Sequence, residues 1–158
     1  MNPYAKWIEG KDALVVLAET PLKISGLLEQ IGMDGWDRGY APGKWNVRQI
    51  MTHLAQCEMI FGARFRQALA QDDYVVQPFD QDQFMAREPL GDDAVTRHAF
   101  GAMRMWNLAL FRSFTAEERA RKLTHPERGA MTVQLMLEMV GGHDLNHLAQ
   151  LEAIAAGK

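Results

Sequence analysis

The chain has 158 residues, 47% of them hydrophobic and 23% charged, and its formal net charge is −3. This length predicts one domain, residues 1–158, because two domains of ordinary size would need more chain. The mild negative charge gives no electrostatic footprint for nucleic acid or for an anionic membrane. No stretch reaches the roughly 18 to 20 apolar residues that span a bilayer. We therefore expect neither nucleic acid nor membrane among its partners.

A single cysteine, Cys57, excludes an internal disulfide and is typical of a reducing compartment. Residues 1–7 lack the succession of charged, apolar and small residues that makes a signal peptide. Together these two observations predict a cytoplasmic protein.

The first predicted helix covers residues 11–31 and carries apolar residues at roughly helical intervals. Pro21 interrupts it, since an interior proline removes a backbone hydrogen bond and kinks or ends a helix. Two forms are open: the helix begins near Pro21 with Thr20 as its N-cap, or it continues through Pro21 and bends. We expect a bent or two-part helix.

A glycine-rich loop at residues 32–43 follows, and it carries Trp36 and Tyr40, with Trp45 shortly after it. Aromatic residues in such a loop either plug one end of the core or line the mouth of a pocket. We expect the plug, because side chains of this size are mostly buried in folded proteins.

Asn46 and Gln49 have the spacing of a capping box, which predicts a second helix over residues 47–70. Apolar residues recur along it every three or four positions and define the side that faces the core. His53 points to that same side. The residues of this apolar stripe are Ile50, Leu54, Cys57, Phe61, Phe65 and Ala68.

From residue 71 to residue 91 the helical pattern disappears, and such a segment in a compact domain is either functional or a long crossover. Its aspartates lack the glycine and the terminal glutamate of an EF-hand calcium loop. We interpret these acids as solvated residues with turn and capping roles. They are Asp72, Asp73, Asp80 and Asp82.

A third helix is predicted from Asp92 or Asp93 to about Ser113. His98 lies beside the stripe that we expect to face the core, so we interpret it as a surface residue. That stripe comprises Val95, Ala99, Ala102, Trp106, Ala109 and Leu110.

Thr115 and Glu118 form another capping box, which predicts a short helix that ends before Pro126. His125 precedes this proline, a position that favours extended backbone in a loop, and we assign it no role. No strand-like alternation of useful length is present.

The last helix is predicted over residues 132–156, with Thr132 as its N-cap. Its apolar face is interrupted for one turn by two histidines, His143 and His147. Residues four apart lie one above the other on the same face of a helix. A pair of imidazoles that faces a core is costly unless something binds it. The face comprises Met136, Val140, His143, His147, Leu151 and Ile154.

Four long helices with one lengthy connection predict an all-α four-helix bundle, with a long crossover between helices two and three that allows those two to run parallel. Side chains that project inward from facing helices meet in a bundle core. His53, His143 and His147 are therefore candidate ligands of one divalent metal ion. Core or interface histidines that are merely hydrogen bonded are the alternative, since H-x-x-x-H on a helix is common by chance.

Three imidazoles suit zinc, nickel, iron or copper, with manganese less favoured. They leave a coordination position open for water or substrate, as in catalytic sites. The residue after His143 is Asp144 rather than glutamate, so the general base of the H-E-x-x-H zinc proteases is missing.

Four neighbouring residues have open roles. Cys57 is a fourth ligand, a reactive thiol or a small buried hydrophobe, and we expect the last. Arg64 binds an anionic group of a substrate, or it forms an ion pair with Glu58 or another acid. Asp144 orients a ligand histidine or has a different partner. Only proximity favours Glu58 as a general base, and we assign none of the four to catalysis.

Three stretches resemble the DinB-like (DinB/YfiT) superfamily. Residues 39–54, GYAPGKWNVRQIMTHL, resemble the start of that family's second helix, and residues 142–151, GHDLNHLAQL, resemble its last helix. Residues 79–82, FDQD, resemble the loop after its second helix. The resemblance implies a four-helix bundle that holds a divalent metal ion with three histidines. The residues that receive this role are His53, His143 and His147.

Members of this family include S-transferases and isomerases that use low-molecular-weight thiols such as bacillithiol or mycothiol. The resemblance thus implies a metal-dependent enzyme of the thiol S-transferase type acting on a small molecule, with the ion lowering the pKa of the thiol. A metal-dependent hydrolase or isomerase and a metal-binding stress-response protein without turnover are the alternatives. Bundles of this family are often dimers, so a homodimer is expected.

Overall fold

The computed structural model describes residues 2–90 and 93–157. Four long helices within these ranges form a bundle, which confirms the predicted fold class. Asp92, one of the two predicted first residues of the third helix, lies outside the described residues. The elements are α1 (Ala5–Ile8), α2 (Ala13–Ile31), a 3-10 turn (Met33–Gly35), α3 (Val47–Ala70), α4 (Gln81–Met85), α5 (Asp93–Arg112), α6 (Ala116–Ala120), β1 (Lys122–His125), β2 (Gly129–Thr132) and α7 (Val133–Ala155).

Three of these helices begin at the caps that the sequence predicts. Asn46 and Gln49 form the capping box of α3, with the Asn46 side chain accepting from the backbone N–H of Gln49 at 2.9 Å. Thr115 and Glu118 form the same arrangement at α6. The hydroxyl of Thr132 accepts the backbone N–H of the third residue of α7. Local hydrogen bonds of this kind satisfy N–H groups that have no partner within the helix.

Helix α2 begins after Asp12, whose carboxylate is its cap, and continues through Pro21. Of the two forms left open, the helix that continues through Pro21 is the one observed, and Thr20 is not its N-cap. Pro21 has no N–H to donate to the carbonyl of Leu17. The guanidinium of Arg104 on α5 donates to that carbonyl instead, at 3.1 Å. A tertiary partner thus satisfies the acceptor that proline leaves free, and the helix continues.

The inward face of α5 differs from the predicted one. Val95 and Trp106 are 61% and 66% exposed, while His98 is exposed as predicted. Two core positions of this helix carry the polar residues Arg104 and Asn107, so the apolar residues alone indicate the wrong rotation about the helix axis. The buried residues of α5 are Phe100, Arg104, Asn107, Leu108 and Phe111.

Helices α3 and α5 run parallel, as the long crossover between them allows. Arg48 forms an ion pair with Asp93, 45 residues later. Glu58 forms one with Arg104, 46 residues later. The residue numbers of the contacting pairs thus increase together on both helices, which requires that the helices run parallel. In an antiparallel pair, a higher residue number on one helix would face a lower residue number on the other.

The crossover and the segment before α7 contain structure that the helical pattern did not predict. Asp80 caps α4 and thereby has the predicted capping role. Strands β1 and β2 form an antiparallel hairpin that no alternation in the sequence indicated. Thr124 of β1 also bonds the crossover, accepting from Val76 at 2.8 Å and donating to Tyr74 at 2.9 Å. Strands of four residues are too short for alternation to be recognised.

Buried apolar side chains fill the bundle in two adjoining clusters. Phe65 of α3 and Phe111 of α5 pack in the first, with ring centroids 4.4 Å apart. Trp36, only 1% exposed, packs in the second, which confirms that this loop aromatic plugs the core. Within residues 2–90 and 93–157, no helix combines the length and the apolar character that crossing a membrane requires.

Candidate metal centre

Three histidine side chains converge between α3 and α7. Nε2 of His143 lies 3.0 Å from Nε2 of His53 and 3.1 Å from Nε2 of His147. His143 and His147 lie one turn apart on α7, and His53 faces them from the second turn of α3. All three are buried, with exposed fractions between 2% and 6%. The structure thus brings the three candidate ligands together.

Burial keeps these imidazoles neutral. It lowers the pKa of His53 to about 3, and the neighbouring His147 adds to the shift. Burial also holds the pKa of His143 well below its ordinary value, with His147 and His53 as further causes. The pKa of His147 is lowered by burial against the opposing effect of Gln150. Near pH 7 each ring therefore has one nitrogen with a free lone pair.

The two spacings of 3.0 and 3.1 Å fit neighbouring nitrogen ligands of a divalent ion. Two nitrogen ligands about 2.1 Å from one ion lie about 3.0 to 3.4 Å apart, depending on the coordination angle. Oε1 of Gln150 lies 2.8 Å from Nδ1 of His147. If Nδ1–H donates to Gln150, the lone pair of that ring is on Nε2, toward His143. In the part of the chain that the structure describes, Nδ1 of His143 is buried without a hydrogen-bond partner.

The metal-free protein is expected to lose stability as the pH falls from about 6.5 toward 3. An unfolded histidine has a pKa of about 6.5, whereas the pKa of His53 in the folded chain is about 3. Between these values the unfolded chain binds more protons, so the free energy of unfolding decreases with decreasing pH. Above about pH 7.5 both states are neutral at these rings, and they contribute no pH dependence.

Urea unfolding of chelator-treated protein between about pH 7.5 and about pH 4.5 measures this effect. His53→Gln should reduce the pH dependence, because it removes one group that titrates only after unfolding. His98→Gln, at an exposed histidine of α5, is the matched control and should leave it unchanged. If the free energy of unfolding depends on pH equally in the wild type, His53→Gln and His98→Gln, the buried imidazoles do not control acid stability.

Cys57 lies one turn after His53, and its sulfur lies close to the rings of His53 and His143. Its Sγ is 3.5 Å from Nε2 of His53 and 3.9 Å from Nε2 of His143. Burial, with smaller effects of Asp144 and Glu58, raises the pKa of the thiol. In the metal-free state the thiol is protonated, unlike a reactive cysteine. The donor atoms of His53, Cys57 and His143 lie within 4.8 Å of one another, so Cys57 competes with His147 as the third donor.

The two carboxylates next to the histidines, those of Glu58 and Asp144, bind Arg104. The guanidinium of Arg104 donates from Nε to Glu58 at 2.8 Å and from Nη1 to Asp144 at 2.6 Å. Asn107 donates to the second carboxylate oxygen of Glu58 at 3.0 Å. Of the alternatives left open for Arg64, the ion pair with Glu58 is not formed, because Arg104 is the partner of Glu58. Asp144 has a partner other than the histidines.

Cavities reach the histidines from two sides. One of about 360 Å³ is lined by His53 and His143. Another, of about 460 Å³, is lined by His147 together with Tyr40 and Trp45. These two aromatic residues thus line a pocket, unlike the buried Trp36. The ring of Trp45 lies 4.9 Å from that of His53 and stacks with that of His147 at 6.4 Å, between centroids.

Sequence patterns did not indicate Tyr4, His125 or Arg128 as residues of the first cavity. His125, which we had assigned no role, is 5% exposed at the end of β1. For Tyr4, the glycine at position 142 is the one feature of the sequence that could have indicated it. A Cβ at Gly142 would come within 2.6 Å of the Cβ of Tyr4, so the close approach of Tyr4 requires glycine there. No local pattern indicated His125 or Arg128, because the hairpin that presents them reaches the site only through tertiary contacts.

Comparisons with known proteins agree with the fold. YfiT of Bacillus subtilis (strain 168) is 27% identical over 157 residues, covering 95% of this chain and 83% of YfiT. OB0782 of Oceanobacillus iheyensis is 21% identical over 143 residues, covering 90% and 83%. Their names describe each as an inferred metal-dependent hydrolase.

The solved structure of YfiT, described as a probable metal-dependent hydrolase with an unusual four-helix bundle topology, matches with a TM-score of 0.84. The match covers 98% of this chain and 86% of that chain at 24% identity, and it shows a common fold. The family model of the DinB superfamily matches residues 17–151, which is most of the molecule. The chain belongs to the DinB superfamily.

Proposed function

We propose that this protein is a metal-dependent hydrolase of a small molecule, with one divalent ion held by His53, His143 and His147. The observation that carries the proposal is the convergence of three buried, neutral imidazoles, with 3.0 and 3.1 Å between their Nε2 atoms. The names of the relatives support the reaction class. Imidazole ligands favour zinc, nickel or iron as the ion.

We place His147, rather than Cys57, third in the ligand set. Nε2 of His147 lies 3.1 Å from Nε2 of His143, whereas Sγ of Cys57 lies 3.9 Å from it. The thiol would have to lose a proton that burial stabilises, while His147 is neutral and held by Gln150. Outer contacts of this kind orient histidine ligands toward an ion.

A divalent ion bound there supplies a Lewis acid and lowers the pKa of water near it. The protein residues position the ligands and control access. Trp45 packs on His53 and His147 and restricts their rings, while Tyr4 packs edge-on against His143 at 5.4 Å. The cavity of about 360 Å³ beside His53 and His143 is left for the substrate and has the size of small-molecule sites.

Chromogenic carboxylic esters, anilides and phosphate esters test the proposal, offered to protein as isolated, after chelation, and after reloading with zinc, nickel or iron. We expect turnover that chelation abolishes and one ion per chain restores. Protein that carries about one ion per chain and hydrolyses none of the panel would contradict the hydrolase assignment. Less than roughly 0.2 ion per chain, with thermal unfolding unchanged by added ions, would contradict the metal site itself.

The same preparations separate hydrolysis from the thiol S-transfer that the family resemblance implies. Monochlorobimane is offered with bacillithiol, mycothiol, glutathione or coenzyme A, and conjugation is followed by fluorescence. We expect no conjugation that depends on the ion. Conjugation that requires the ion and exceeds hydrolysis of every ester would favour thiol transfer over our proposal.

A further inference from the structure

Arg64 is a buried cation in the wall of the cavity beside His53 and His143. It lies on α3 and is 8% exposed. Its Nη2 donates to the backbone carbonyl of Gln77 at 2.6 Å, while its Nε is buried without a hydrogen-bond partner among the described residues. Nor does Arg64 form an ion pair with any carboxylate of residues 2–90 and 93–157.

Burying a charge without an oppositely charged partner costs free energy, so buried charges in proteins are normally paired. Arg104 shows the contrast: it is 1% exposed and has the two carboxylates of Glu58 and Asp144. At Arg64, burial lowers the pKa of the guanidinium against the opposing effects of Tyr74 and Cys57, and the charge of Arg128 adds a smaller lowering. Arginine remains protonated in proteins, so a positive charge persists in the wall of the cavity.

The guanidinium of Arg64 is held in place by two aromatic rings. Its central carbon lies 5.5 Å from the centroid of Phe61 and 5.6 Å from that of Phe79. Contacts with aromatic faces attract a guanidinium without neutralising it. The side chain is therefore preorganised, and its full charge remains available to a ligand.

Arg128 supplies a second cation to the same cavity. It follows β1, and its Nη1 lies 2.9 Å from Nε2 of His125 and 3.8 Å from a carboxylate oxygen of Glu127. Glu127 is the one acidic residue among those described that line the cavity. Its side chain is 66% exposed, so water screens it, and the exposed pair with Arg128 is weak. Two arginines and one solvated acid leave the cavity net positive.

We propose that Arg64 and Arg128 form an anion subsite in the cavity that ends at His53 and His143. The substrate is then a small molecule with an anionic oxygen group, a carboxylate or a phosphate, at the end away from the histidines. Guanidinium groups bind both through charge-assisted hydrogen bonds. The inference rests on the proposed function for the reacting end of the substrate, but anion binding itself needs no turnover.

Calorimetric titration with benzoate and with inorganic phosphate, in buffer without other multivalent anions, tests the subsite on metal-loaded and on chelator-treated protein. We expect the wild type to bind at least one of them, and the preferred probe identifies the anionic group. Arg64→Gln and Arg128→Gln should each weaken binding about tenfold or more. Arg97→Gln, at an exposed arginine of α5, is the control and should change nothing.

Arg128→Gln keeps the test decisive if Arg64→Gln fails to fold, because the side chain of Arg128 is 33% exposed. No binding by the wild type, or equal binding by wild type and Arg128→Gln, would overturn the subsite. Kinetics with a neutral ester and its carboxylate-bearing counterpart distinguish the two proposals. Anion binding without any hydrolysis rejects the function alone. Hydrolysis of both esters with equal kcat/KM, without anion binding, rejects the subsite alone.

Discussion

Arg104→Ala is expected to lower the free energy of unfolding by about 3 to 5 kcal/mol, or to prevent folding. Arg104 is 1% exposed and bonds Glu58 of α3, Asp144 of α7 and the carbonyl of Leu17 on α2. Removing it leaves the carboxylate of Asp144 and the carbonyl of Leu17 buried without this donor, and leaves Glu58 with Asn107 alone. Removing one member of such a cluster lowers the free energy of unfolding by more than the intact cluster adds to it, because a buried charge is left unpaired.

Chemical unfolding followed by circular dichroism measures this loss. Arg97→Ala, at an exposed position of the same helix, should change stability by no more than about 0.5 kcal/mol. The triple variant Arg104→Met, Glu58→Gln and Asp144→Asn removes all three charges and should recover part of the stability. A loss below about 1 kcal/mol for Arg104→Ala would mean that water reaches the carboxylates and that the cluster does not hold the helices together.

The second large effect concerns the ion. His143→Ala is expected to weaken metal binding by more than about 100-fold, because loss of an outer-shell partner alone costs 10- to 100-fold. His143 is the central ring, with its Nε2 near both His53 and His147. His147→Ala should have a comparable effect. Competition with a chromophoric chelator gives the affinities, and mass spectrometry gives the ion content of each variant.

Cys57→Ser is the matched comparison for these variants. It replaces the sulfur 3.5 Å from His53 with a poorer metal ligand of similar size. We expect it to keep the ion with affinity within about threefold of wild type, since Cys57 is not in the proposed ligand set. If Cys57→Ser loses the ion while His147→Ala retains it, the ligands are His53, Cys57 and His143. Circular dichroism of each variant confirms that the bundle is intact.

Local patterns were sufficient to predict the long helices and the three candidate ligands. The capping box of Asn46 and Gln49 depends on residues only three apart, so its hydrogen bonds form whatever the rest of the chain does. The pair His143 and His147 lies on a stripe whose other members are apolar, and that stripe is buried as a whole. His53 could be placed toward the same interior because α3 has a regular apolar face.

Other features depend on contacts between distant residues. The rotation of α5 was mispredicted because Arg104 and Asn107 occupy core positions where Glu58 is their partner. Helix α2 passes through Pro21 because Arg104, 83 positions further along the chain, satisfies the carbonyl that proline leaves free. Neither partner is visible in a local window, so periodicity and proline rules mislead at these positions.

By itself, the sequence determined four helices, the caps of α3 and α7, and three histidines on buried faces, because these depend on spacings of three or four residues. Only the tertiary structure decided which charges are paired. It assigns Glu58 and Asp144 to Arg104, and within residues 2–90 and 93–157 it gives Arg64, in the wall of the cavity, no ion pair with a carboxylate. The same structure brings Arg128 to that cavity on a hairpin. Pairing depends on which helices become neighbours, and that arrangement follows from packing the whole chain.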